Sequence, residues 1–200
     1  MNKTQKKRII DRHRDSLKRY GYHPNALYWS SREIQELRFK VLAEIGVEQG
    51  DSVLDVGCGF ADLKSWFAEQ GKDVVYTGID ISPDLIAVAK AQHPNTPLFA
   101  NELKKSGFKM LSFDWVLLSG ALNEPYADKG KYARQSIKEM YRLCRKGVAF
   151  NLLNAKVVQA HDLQSFEPEG MLAFCQTLAP KCRLRDDYLD NDFTVYMFKE

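Results

Sequence analysis

The sequence predicts an α/β fold: a doubly wound, seven-stranded sheet, mostly parallel, closed by an antiparallel C-terminal hairpin. Three observations carry this. Short apolar runs alternate with longer amphipathic stretches, the pattern of strand–helix–strand units on a parallel sheet covered on both faces. The run Val53-Leu54-Asp55-Val56 breaks into Gly57-Cys58-Gly59, as a strand does when it enters a helix through a tight turn. The last two apolar runs are split by Leu189-Asp190-Asn191-Asp192, short enough to make them antiparallel neighbours.

The elements follow in order. Ser31 precedes Ile34, Leu37, Phe39, Val41, Leu42 and Ile45, an amphipathic helical spacing that closes near Gly46. Ser52–Val56 is the first strand, and 61–70 a helix stopped by Gly71. Val74–Ile79 is the second strand. Ser82-Pro83-Asp84 opens the next helix: serine caps it, proline suits the first helical position, and aspartate suits the positive end of the dipole. Leu98–Ala100 and Phe113–Leu118 are the third and fourth strands. Lys131–Cys144 is a helix with Gly147 beyond its end, and Val148–Leu153 is the fifth strand. Pro168–Leu178 is a helix, and Cys182–Tyr188 and Phe193–Phe198 are the last strands. The one candidate boundary falls near residue 46. It separates a basic N-terminal arm and helical cap (1–46) from the α/β body (47–200).

Composition excludes several classes. The 200 residues are 44% hydrophobic and 28% charged, which rules out a disordered chain, a collagen and a coiled-coil rod. No run of 18 apolar residues exists, so no membrane span is expected. The N-terminus lacks the apolar segment of a secretory signal. Cys58, Cys144, Cys175 and Cys182 form no CxxC pair, so reduced thiols in a cytoplasmic protein, and no metal site, are expected. Charge is uneven. Residues 1–19 carry eight Lys/Arg and two Asp, a net +6, while the whole chain is +3. The remainder is therefore −3. Such an arm either binds nucleic acid or is a solvated, partly helical terminus. The second is favoured, because the body offers no basic face to continue it.

The glycine turn is the most informative segment. In a Rossmann-like sheet, ligands bind beyond the carboxyl ends of the strands. A dinucleotide fingerprint would place a third glycine at 62, where Asp62 stands and competes with a phosphate for the helix N-terminus. The Lys-Ser/Thr of a phosphate-cradling loop is also missing. A ligand without phosphate there, carrying a positive group opposite Asp55, fits better. Asp80 ends the second strand, 21 residues after Gly59, where an acidic side chain accepts hydrogen bonds from ribose hydroxyls.

VLDVGCGFADL followed by YTGIDISPDLIAVAK resembles motifs I and II of class I S-adenosylmethionine-dependent methyltransferases, and the resemblance covers roughly residues 50–200. SSREIQELRFKVLAEIG, SGALN and AFNLLN resemble segments of small bacterial members of unassigned substrate. The resemblance implies S-adenosylmethionine as cofactor. It places Gly57, Cys58 and Gly59 along the methionine part, Asp55 at the amino group, Asp80 at the ribose and Ile81 on the adenine. Asn101 or Glu102 would meet the adenine amino group, and Ser119 and Gly120 would lie under the transferring methyl.

The acceptor side is less legible. Asn123 and Tyr126 belong to Asn123-Glu124-Pro125-Tyr126, a loop at the active end of the sheet. It is superficially similar to the acceptor motif of adenine-N6 methyltransferases but has only one proline. Arg38 suits a carboxylate of cofactor or acceptor, or is a solvated helix charge. Asn151 is a further acceptor-side candidate, Trp29 is more often core than site, and His161 is the one histidine on a loop after a strand. No strong general base stands out, which tilts the acceptor toward an amine, thiol or carboxylate. A small-molecule acceptor is the leading expectation. The alternatives are RNA or protein docked by the basic arm, or a non-catalytic cofactor-binding protein. A dehydrogenase is disfavoured by Asp62.

Overall fold

The computed structural model describes residues 1–125, 128–159 and 162–200. The N-terminal segment forms α1 (Lys3–Tyr20), a 3₁₀ turn (Pro24–Leu27) and α2 (Arg32–Ala43). The body alternates β1 (Ser52–Val56), α3 (Asp62–Glu69), β2 (Val75–Asp80), α4 (Pro83–Gln92), β3 (Leu98–Ala100) and β4 (Phe113–Ser119). It continues through α5 (Lys131–Leu143), β5 (Cys144–Leu153), α6 (Pro168–Gln176), β6 (Lys181–Arg185) and β7 (Asp192–Phe198).

The seven strands form one sheet in the order β3-β2-β1-β4-β5-β7-β6. β1 to β5 run parallel, and β7 is antiparallel to both β5 and β6. Strand order reverses between β1 and β4, so a crevice opens at the carboxyl ends there. The alternation of side chains along each strand divides the core in two. Leu54, Val116 and Leu118 face the layer of α5 and α6, with Ile137, Met140 and Met171. Val53, Trp115 and Leu117 face the other layer, with Phe39 and Leu42 of α2 and Phe67 of α3.

Local capping explains the helix starts. Asn2 caps α1 with a reciprocal capping box to Gln5, Ser31 caps α2, and Ser82 caps α4 with Pro83 behind it. Three boundaries differ from expectation. β5 begins at Cys144, directly from α5, so Gly147 lies inside a strand rather than beyond a helix. The reason is long-range: Cys144 pairs with Phe113 and Gly147 with Trp115, which puts one extra residue on β5 as a bulge. A Cβ on Gly147 would lie 2.5 Å from the Met197 carbonyl, so glycine is required by that approach. β6 ends at Arg185, not Tyr188, because the Tyr188 hydroxyl folds back onto Asp192 and Thr194. Finally, the basic terminus is a regular 18-residue helix packed on the body through buried Ile9 and Ser16.

Candidate active site

A cavity of about 350 Å³ opens at the carboxyl ends of the central strands, and α1 contributes to its lining. Its floor is the turn after β1. Gly57 and Gly59 line it with φ of +73° and +53°. A Cβ on Gly57 would stand 2.2 Å from that of Ala121, so the loops after β1 and β4 approach closely. Cys58 and Asp55 do not line the cavity. The Cys58 side chain is buried beneath the loop against Gly78. Asp55 is buried and accepts a 2.5 Å hydrogen bond from the Tyr76 hydroxyl. Burial raises its carboxyl to about 7, Tyr76 opposes this, and neighbouring Asp80 and Asp62 reinforce it.

Asp80 and Ile81, at the end of β2, both line the cavity. Asp80 accepts from the backbone N–H of Gly59 (3.1 Å) and Ser82 (2.8 Å), which ties the β2 end to the glycine turn. Burial pushes its carboxyl up, against those two N–H groups and the nearby His13. Of Asn101 and Glu102, only Asn101 faces the cavity. Its amide is engaged locally, donating to the Lys105 carbonyl and accepting from the Glu102 N–H. Glu102 instead pairs with Lys105 (2.8 Å) and Lys6 (3.3 Å); burial would raise its carboxyl, but these two cations hold it below its usual value.

Ser119 and Gly120 line the cavity below Trp29. A Cβ on Gly120 would meet the indole at 2.9 Å. Asn151 lies outside the lining, fully buried on β5, where its Oδ1 accepts the Gly120 N–H at 2.9 Å and so holds the turn after β4. Asn123 lines the cavity while its Oδ1 accepts the Leu153 N–H. Arg38 lines it too, buried rather than solvated, with Nε 2.5 Å from Asp192 Oδ2 and its guanidinium 4.7 Å from the Trp29 ring centroid. Burial raises the Asp192 carboxyl to about 6, opposed by Arg38 and Tyr188. Tyr126 and His161 lie outside the described residues.

Asp62 does not reach the cavity. At the first turn of α3 it accepts from the Tyr22 hydroxyl (2.9 Å) and Gln35 Nε2 (2.9 Å), and so fastens the N-terminal segment to the glycine turn. That helix end is therefore already met by a carboxylate.

Sequence reasoning missed the contribution of α1. Ile9, Arg12 and His13 line the cavity. With Ser16 they fall at i, i+3, i+4 and i+7, one helical face, and that spacing was the available signal. Three basic residues of α1 bind acceptors on the body. Arg12 pairs with Glu124, Arg14 with Asp84 at 2.9 Å, and Arg8 donates to the Pro125 carbonyl at 2.6 Å. His13 Nδ1 lies 2.9 Å from the Ile9 carbonyl, which can only accept, so Nδ1 carries the proton. Tyr132 and Ser136 of α5 complete the wall. Among the described residues no His/Cys/Asp/Glu cluster is arranged to hold a metal ion.

Residues 53–147, which supply both the glycine turn and Asp80, match a family model described as a methyltransferase domain. Those 95 of the 200 residues are similar to a methyltransferase domain. The chain is 32% identical over 105 residues to an uncharacterized methyltransferase of Schizosaccharomyces pombe, covering 48% of this chain and 40% of that protein. It is 33% identical over 108 residues to demethylmenaquinone methyltransferase of Listeria welshimeri, covering 50% and 43%. The chain thus spans well under two thirds of these relatives. Magnesium protoporphyrin IX methyltransferase of Synechocystis, crystallised with SAH, superposes with a TM-score of 0.67 at 16% identity, covering 98% of this chain and 100% of the other. That likeness shows the fold alone: a seven-stranded, mostly parallel sheet.

Proposed function

We propose that this chain binds S-adenosylmethionine and transfers its methyl group to a small-molecule acceptor. One observation carries the reading: the Gly57–Gly59 turn and the half-buried Asp80 carboxylate meet in a single cavity at the point where strand order reverses. The residues present suit this cofactor. The buried Asp55 and the half-buried Asp80 stand by the turn; burial raises both carboxyls, and the positive charge of a bound sulfonium and ammonium would favour their ionised forms. Asp80, Ile81, Leu85 and Leu103 all line the cavity, which supports assigning the ribose hydroxyls to Asp80 and the base to the three apolar side chains.

When bound, S-adenosylmethionine supplies an electrophilic methyl group. The chain's work is then to orient and to exclude water. Asn151 holds the Gly120 turn, Trp29 covers it, and Ile9, Arg12 and His13 of α1 wall the cavity. On the acceptor side the Glu124 carboxylate is engaged by Arg12, and acceptors that need no general base are favoured: an amine, a thiol or a carboxylate. Lys6, Arg12 and Arg14 of α1 turn their cations to carboxylates of the body, which leaves fewer of them for a nucleic acid and favours a small acceptor over RNA. No helix among the described residues is long and apolar enough to cross a membrane.

The test is calorimetric titration with S-adenosylmethionine, S-adenosylhomocysteine and NAD. Binding of the first two and not the third is expected. Binding of NAD alone, or of none, overturns the proposal.

A further inference from the structure

The cavity continues past β4 to β5 and β7, where it meets a buried guanidinium. Arg38 is 6% exposed, and Leu153 of β5 and Asn191, just before β7, line the cavity with it. Its neighbour Asp192 is fully buried on β7, opposite Leu153. The pair is close but incompletely satisfied. Arg38 Nε has no aligned acceptor, and Asp192 Oδ1 has no hydrogen-bond partner among the described residues. A buried ion pair contributes little to stability against an apolar replacement, because both ions are desolvated. A brace that served only the fold would saturate its donors. This one instead leaves a planar, five-donor group at a cavity wall.

Position decides which ligand it meets. β1 and β2 carry the cofactor residues of the proposed function. β7 lies three strands beyond β1, by way of β4 and β5. At about 4.8 Å per strand, that is roughly 14 Å away. Arg38 therefore stands on the far side of Gly120 from Asp80. Trp29 lies against Arg38, and the cavity lining also carries Ile34, Leu122, Leu153 and Leu163 beside the polar Asn123 and Asn191.

We propose that Arg38, backed by Asp192, anchors a carboxylate of the methyl acceptor, and that the acceptor is a small organic acid with an apolar body. This rests on the proposed function and names the substrate class of the same site. The guanidinium fork matches a carboxylate in a bidentate, charge-assisted pair, and the Trp29 face holds its plane. The methylated atom is a separate group of the same molecule, presented at Gly120.

The test uses the full chain saturated with S-adenosylhomocysteine. Salicylate, anthranilate and thiosalicylate are titrated beside their primary amides, and S-adenosylhomocysteine formation is followed when S-adenosylmethionine replaces it. Arg38→Gln and Arg38→Lys are compared with the wild type. The double variant Arg38→Gln/Asp192→Asn removes both charges together, so that no unpaired buried ion obscures the result. At least one acid is expected to bind tenfold or more tightly than its amide. Arg38→Gln and the double variant should abolish that preference while keeping S-adenosylhomocysteine affinity within twofold, and Arg38→Lys should keep part of it. Equal binding of acid and amide, or binding of none of the acids, overturns the proposal. So does a tenfold loss of S-adenosylhomocysteine affinity in Arg38→Gln, which would assign the guanidinium to the cofactor's own carboxylate. Failure of the wild type to bind S-adenosylhomocysteine overturns the proposed function instead.

Discussion

Replacing Asp80 by Asn separates its two duties. The carboxylate accepts from Gly59 N–H and Ser82 N–H inside the protein and faces the cavity with what remains. Asn keeps one acceptor oxygen and turns an NH₂ group toward the other backbone donor. Leaving one buried N–H unsatisfied costs about 1–3 kcal/mol. Against this, a neutral amide escapes the desolvation that raises the Asp80 carboxyl. The two effects oppose, so stability should change by no more than about 2 kcal/mol, or roughly 4–8 °C in Tm for a chain of this size. Binding has no such compensation. A hydrogen bond to a charged acceptor contributes about 1.5–3 kcal/mol, and the ribose offers two hydroxyls. Losing the equivalent of one such bond weakens S-adenosylhomocysteine about 10- to 150-fold. Calorimetry gives the affinity, and thermal denaturation checks the fold. Asp80→Ala, which removes both oxygens, should lose measurable binding. A folded Asp80→Asn protein with affinity within twofold of wild type would refute the assignment of the ribose to this carboxylate.

Gly57→Ala should destabilise the protein. The residue sits at φ +73° and its new Cβ would overlap that of Ala121, which together cost about 3 kcal/mol or more, roughly 6–12 °C in Tm. An unchanged melting temperature would contradict the close approach of the two loops. Asp55 has a carboxyl raised from 3.8 to about 7, so the native state holds an extra proton between those values, and stability should fall as pH rises through that window. Urea denaturation of the ligand-free protein at pH 5, 6, 7 and 8 measures this; Asp55→Asn should flatten the profile, and an equally steep decline in the variant would assign it elsewhere. Arg12→Gln with Arg14→Gln removes three ion pairs of α1, two of them to the body, each worth about 0.2–1 kcal/mol. Release of S-adenosylhomocysteine should quicken severalfold in stopped flow, and wild-type release should quicken with salt. Identical rates would mean that α1 does not gate the cavity.

Where residues acted through near neighbours, their roles could be read along the chain. The alternation of Val53-Leu54 and Trp115-Val116-Leu117, the glycine turn, the Ser31 and Ser82 caps and the closing hairpin each depend on a few adjacent residues. They were legible because strand periodicity and capping are short-range. Gly57, Gly59, Asp80, Ile81, Asn101, Ser119, Gly120 and Asn123 stand at strand ends, and strand ends in such a sheet converge on one cavity.

What tertiary structure decided was always a meeting of distant segments. Whether Asn101 or Glu102 faces the cavity was settled by Lys6, which arrives from α1 to claim Glu102. The start of β5 was set by its pairing with β4 rather than by Gly147. Arg38 reads locally as one more charge on an amphipathic helix; only the fold carries Asp192 from the last strand to its side and buries both. Patterning specifies which face of an element turns inward, because apolar burial is non-directional and needs only a face. It does not specify which polar partner waits there, since directional bonds between distant residues form only after packing has chosen their neighbours.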